Sequence, residues 1–139
     1  MRVILDTNVF ISGVLWRGNE SAVLQMCSSG IAEMYLSSKL LREYADVLSR
    51  RKFADRLAAA GLRPDDILAA LFEFVHIVET NSTVAVVTED PADNMVLECA
   101  DSVPDLDFIL SGDAHLLNLG SYKGVPIVTA SEFLRRLLP

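Results

Sequence analysis

The chain has 139 residues, 51% of them hydrophobic, which is one domain's worth of sequence and enough to bury about 70% of the surface its unfolded form would expose. A net charge of −7 argues against a protein coated with cations for a polyanion, and no run of about 18 apolar residues offers a membrane span. Met1-Arg2-Val3-Ile4-Leu5 meets an acid too soon for a signal peptide, and Cys27 and Cys99 sit in apolar helical stretches as small buried residues, so a reducing cytoplasm is the expected setting.

Short apolar or β-branched runs alternate with helical patterns, the mark of an α/β fold with a largely parallel sheet. Val3 to Leu5 reads as the first strand and ends at Asp6. A helix over Ser21 to Ser28 is stopped by Gly30, and Met34 to Leu36 forms the second strand. Lys39 to about Ser49 is helical, with Leu40, Tyr44, Val47 and Leu48 on one face; Arg51 to Ala60 continues or restarts it before Gly61. Asp65 to Phe74 follows Pro64 as a further helix, and Val75 to Val78 is the third strand, holding His76 as a core or edge residue. Val84 to Val87 is extended, as an edge strand or a buried connector. Asp90-Pro91-Ala92-Asp93 opens a helix with a capping acid, proline at the first helical position and a second acid at the third. Phe108 to Leu110 is the next strand, and Ile127 to Val128 the last. Thr129-Ala130-Ser131-Glu132 then has the capping-box spacing that opens a final helix, Phe133 to Leu138. The reading is a single domain, 1–139, built as a three-layer α/β/α sandwich around a mostly parallel sheet of about five strands.

Charge is distributed unevenly. Residues 39–63 hold seven of the twelve basic residues against three acids, a local charge of +4, whereas residues 64–113 hold twelve acids and no Lys or Arg. Excess carboxylate is ordinarily a solvated surface, so the question is which acids escape that explanation. Asp6 follows the first strand directly and Asp113 follows Phe108-Ile109-Leu110 after Ser111 and Gly112, which places both at carboxyl ends of strands. In open α/β sheets that edge binds ligands where the strand order reverses, although either acid alone also serves as an ordinary turn residue. Glu43 lies among packing residues of its helix and leans toward the sheet edge, or else pairs with Lys39 one turn earlier. Asp93 is equally explained by the helix dipole, so both stay open on these grounds.

Four stretches resemble the PIN-domain family, in order and over essentially the whole chain. Asp6-Thr7-Asn8-Val9-Phe10-Ile11-Ser12 looks like the family's opening, and Leu41-Arg42-Glu43-Tyr44 resembles the stretch that holds its second acid. The run from Asp90 to Ala100 is similar to the third, and Ser111-Gly112-Asp113-Ala114-His115-Leu116-Leu117 to the fourth. Within the family the likeness is to toxin components of bacterial toxin–antitoxin pairs, the VapC-like ribonucleases. The resemblance implies a catalytic, metal-binding quartet of Asp6, Glu43, Asp93 and Asp113, supported by Asn8, Asn94 and Ser111. It also implies an RNA substrate, an antitoxin partner and a homodimer. The chain departs from many relatives in having Ala92 in place of an acid and His115 in place of an Asp, and in a longer, more acidic stretch between Ala100 and Phe108.

Oxygen-only ligands suit one or two Mg²⁺ or Mn²⁺ ions, and no Cys/His spacing offers zinc a site. Carboxylates ~4 Å apart repel by roughly 4 kcal/mol at an effective dielectric of 20, a conflict that a cation resolves. RNA phosphates need cations in turn, and Arg50, Arg51, Lys52 and Arg56 are the candidate track, or else a solvated helix end; substrate is expected from the side of residues 39–63. Two other readings compete. A phosphatase or receiver-like domain also gathers Asp and Mg²⁺, but Asp6-Thr7-Asn8 lacks that class's second acid, and no Lys follows Asp113 before Lys123. A catalytically inactive PIN module that only binds a protein or RNA would have less need of all four acids.

Overall fold

In a computed structural model the described residues are 1–80 and 89–138, so the extended stretch read at Val84 to Val87 lies outside them. Strand β1 (Arg2–Leu5) is followed by α1 (Thr7–Leu15) and α2 (Asn19–Ser28), then β2 (Glu33–Ser37). Three helices follow, α3 (Ser38–Leu48), α4 (Arg51–Ala59) and α5 (Pro64–Phe72), before β3 (His76–Val78). The remainder is α6 (Pro91–Asp101), β4 (Phe108–Leu110), α7 (Ala114–Leu119), β5 (Ser121–Tyr122), β6 (Val125–Val128) and α8 (Ala130–Leu137).

The strand order is β3-β2-β1-β4-β6-β5, parallel throughout except for the antiparallel β5–β6 pair. Helices flank this sheet in the expected three-layer arrangement, and the described strands number six against about five, because β5 is a two-residue strand that no period-2 pattern announces. Val3, Ile4 and Leu5 of β1 are wholly buried, as a central parallel strand covered on both faces requires. β3 is the opposite case: an edge strand whose His76 is exposed and stacks on Tyr35 at 4.8 Å.

The chain leaves β1 toward β2 on one side, while β4 pairs with β1 on the other, in register Val3–Phe108, Ile4–Ile109 and Leu5–Leu110. The strand order therefore reverses between β1 and β4, and the crevice beyond their carboxyl ends is the natural ligand position of such a sheet.

α1 and α7 are the helices that periodicity did not announce. Val9, Ile11, Val14 and Gly13 all lower helix propensity in α1, and burial of Val9, Phe10, Ile11 and Leu15 overrides that local cost. Gly13 permits the approach of α2, since a Cβ there would lie 2.9 Å from the Glu20 carbonyl oxygen. The acidic stretch after Ala100 is largely tied down: Asp101 accepts from Lys123 Nζ at 2.7 Å, and Asp107 from the Arg2 backbone N–H at 2.8 Å.

Candidate active site

Asp6 and Asp113 repeat one local device, an acid that ends a strand and caps the helix after it. Asp6 Oδ1 accepts from the Val9 N–H at 2.9 Å at the start of α1; Asp113 Oδ1 accepts from the N–H groups of His115 at 2.8 Å and Leu116 at 3.2 Å at the start of α7. The β1–β4 pairing brings the two devices together, and Ser111 joins them. Its hydroxyl donates to Asp6 Oδ2 at 2.5 Å and accepts from the Asp113 N–H at 2.9 Å. Asp6 is 5% exposed, and burial holds its carboxyl above the ordinary range. The negative charge of Asp113 pushes the same way, against hydrogen bonds from Ser111, Val9 and Gly112 that favour the ionised form.

Glu43 is delivered by packing. Its neighbour Tyr44 is fully buried, stacks on Phe10 at 4.3 Å and donates its hydroxyl to the Leu5 carbonyl at 2.5 Å, which pins α3 over the carboxyl end of β1. The alternative pairing of Glu43 with Lys39 does not form; Lys39 Nζ instead reaches Glu98 Oε2 at 3.3 Å. Asp93, also 5% exposed, stands at the third position of α6, behind the capping residue Asp90, whose Oδ1 accepts from the Ala92 N–H at 2.9 Å. Contact between α3 and α6 brings these two acids to the same side of the sheet edge.

All four acids of the predicted quartet line one cavity of about 240 Å³, with Asn8, Asp90 and Arg50 also on its wall. Ser111 acts through its bonds to Asp6 and Asp113, while Asn94, partly buried on the same helix as Asp93, is not among the lining residues. Of the basic track only Arg50 reaches the cavity; Arg51 and Lys52 are exposed on α4. Arg56 points to another place, donating from Nε to the Leu15 carbonyl.

Sequence reasoning passed over two groups. Asp90 had been read as a cap alone, yet a capping residue and the third helical residue share one turn, so the placement of Asp93 carries Asp90 with it. His115 enters the sequence reading only as a departure from the family's pattern. Its ligand nitrogen and carboxylate oxygens of Asp93 and Asp113 all lie within 4.8 Å of one another, with Nδ1 at 3.9 and 3.8 Å from the two acids. The signal was its position two residues after a capping acid, inside the first turn of α7.

These donors fit a divalent cation: carboxylate oxygens suit Mg²⁺ or Mn²⁺, and the crowding of like charge around buried Asp6 is a surplus that a cation offsets. A family model described as the PIN domain matches residues 2–115, a span that holds all four acids and His115. The chain belongs to the PIN domain family. Among solved structures, this PIN domain is similar to the one described as "VapBC2 from Rickettsia felis bound to a DNA fragment from their promoter", with a TM-score of 0.57 and 9% identity over 91% of this chain and 97% of that one. At that identity the likeness is one of fold. No curated protein matches the chain. Among the described residues of the PIN domain, no helix is long and apolar enough to cross a membrane.

Proposed function

We propose that this PIN domain is a metal-dependent ribonuclease of the cytoplasm that hydrolyses RNA phosphodiester bonds as the toxin of a toxin–antitoxin pair. The observation that carries the reading is the convergence of Asp6, Glu43, Asp93 and Asp113 on one cavity at the reversal point of the sheet. Asp6 and Asp113, joined through Ser111, form one part of the metal cradle, and Glu43 and Asp93 complete it from α3 and α6. His115 adds an imidazole nitrogen on the Asp93–Asp113 side. Bound there, one or two Mg²⁺ or Mn²⁺ ions supply an activated water and charge neutralisation at the phosphate under attack. Arg50, the cation on the wall, faces the incoming phosphodiester, and the carboxylates orient the groups around it. The fold likeness to the VapBC2 structure supports an antitoxin partner.

The metal step and the cleavage step are tested separately. Mn²⁺ or Mg²⁺ is expected to raise the melting temperature of the intact protein, and Asp6→Asn or Asp113→Asn to abolish that rise. Cleavage of single-stranded RNA is expected to require the metal and to disappear in both variants. Cleavage that survives EDTA or persists in Asp6→Asn rules the reading out, and metal binding without cleavage of any RNA leaves an inactive binding module. For the toxin assignment, a small protein encoded beside this gene is expected to co-purify with the chain and block cleavage; its absence removes that assignment and leaves the nuclease.

A further inference from the structure

The end of α1 away from the acids carries an aromatic residue that the core does not use. Trp16, the C-cap of α1 and the only tryptophan of the chain, is 46% exposed. It is nevertheless held. The Arg56 guanidinium lies 5.0 Å from the centre of the indole, and Arg56 Nε donates to the carbonyl of Leu15 at 2.5 Å. Phe53 meets the indole edge-on at 6.3 Å, and Lys52 Nζ lies 5.0 Å from the Phe53 ring. A solvated aromatic ring gains little from the fold, whereas a ring fixed by a cation beside it is prepared for a planar guest.

Two helices connect this cluster to the acidic cavity. α1 runs from its N-cap Asp6 to its C-cap Trp16, about ten residues or roughly 15 Å along its axis. α4 follows its N-cap Arg50, on the cavity wall, and carries Arg51, Lys52 and Phe53 before its Arg56 docks on the end of α1. Between the cavity wall and the residue that docks on α1, this segment thus carries the exposed cations Arg50, Arg51 and Lys52, with Asp55 as the acid among them. Phosphates follow cations and unpaired bases stack on aromatic faces, so this alternation suits a single strand of nucleic acid better than an apolar protein surface.

We infer that Trp16, oriented by Arg56, is a base-stacking platform that seats an unpaired RNA nucleotide a few residues from the phosphodiester held at the acids. The inference rests on the ribonuclease reading above for the identity of the strand, but its test does not depend on cleavage. Because Trp16 is the sole tryptophan, its emission reports directly on the site. Titration of the intact protein in EDTA with an oligouridylate of about 12 nucleotides is expected to quench that emission saturably, while a duplex of the same length does not.

Trp16→Ala is expected to weaken binding of a labelled oligouridylate by roughly 5- to 150-fold, the range of one lost stacking contact, and Trp16→Phe to restore most of it. Arg56→Ala should weaken binding and reduce the quench, with folding of each variant checked by circular dichroism. An unquenched titration, or equal oligouridylate affinity in Trp16→Ala and the intact protein, overturns the platform. Quenching only by a protein partner overturns it too, in favour of a docking surface. Retained quenching in a protein that cleaves no RNA removes the ribonuclease reading and leaves the platform standing.

Discussion

At Asp6 the demands of folding and of the site conflict. Both of its oxygens accept hydrogen bonds, yet burial keeps the carboxyl's pKa above its ordinary value of 3.8. An acid raised in this way binds its proton more tightly in the native state than in the unfolded one, so stability falls as pH rises from the unfolded pKa through the folded one. Near neutral pH the ionised group therefore weighs against the metal-free fold. Asp6→Asn keeps an oxygen for the Val9 N–H and turns an N–H toward Ser111. Its melting temperature in EDTA near neutral pH is expected to equal or exceed that of the parent, with the gap closing as pH falls toward 3.8. Scanning calorimetry across that range checks it; a variant clearly less stable at neutral pH would show that the hydrogen bonds outweigh burial. Asp6 and Asp113 were legible in the sequence because strand ends are local features. His115 was not, because its neighbour Asp93 arrives from a different helix.

Helices, more than strands, decided what could be read. β1 and β4 stood out as short apolar runs because parallel strands are covered on both faces, and α6 announced itself by the cap and proline at Asp90-Pro91. α1 gave no such sign: its β-branched residues and Gly13 lower helix propensity, and burial against α2 and α3 is what holds it helical. Glu43 and Asp93 were ambiguous for a related reason, since their convergence depends on how α3 and α6 pack, which no periodicity records. Gly13→Ala separates the local from the tertiary contribution. Helix propensity alone predicts a gain of about 1 kcal/mol. The new Cβ, however, meets Glu20 backbone atoms at 2.9 and 3.2 Å, so a net loss of about 1–3 kcal/mol is expected in urea denaturation. An increase in stability would mean that α2 shifts freely on α1.

Across the whole molecule, the excess of acid is divided between structure and site. Asp101 and Asp107 hold the chain around β5 and β1, while Asp6, Glu43, Asp90, Asp93 and Asp113 face the cavity. Burial in the core protects both thiols: it pushes Cys27 up to about 12 and Cys99 up to about 11. Neither is expected to react with iodoacetamide in the native protein near neutral pH, and both should react in denaturant, as mass spectrometry will register; rapid native labelling of Cys99 would mean that α6 opens. The pairing of β1 with β4 also has a consequence in time. Val3 waits for Phe108, and Asp6 for Ser111 and Asp113, across more than two-thirds of the chain. A ribosome making this protein therefore exposes Asp6 and Glu43 long before the strand that completes their cavity. Whatever chemistry the acids perform is withheld from the translating machinery until synthesis is well advanced.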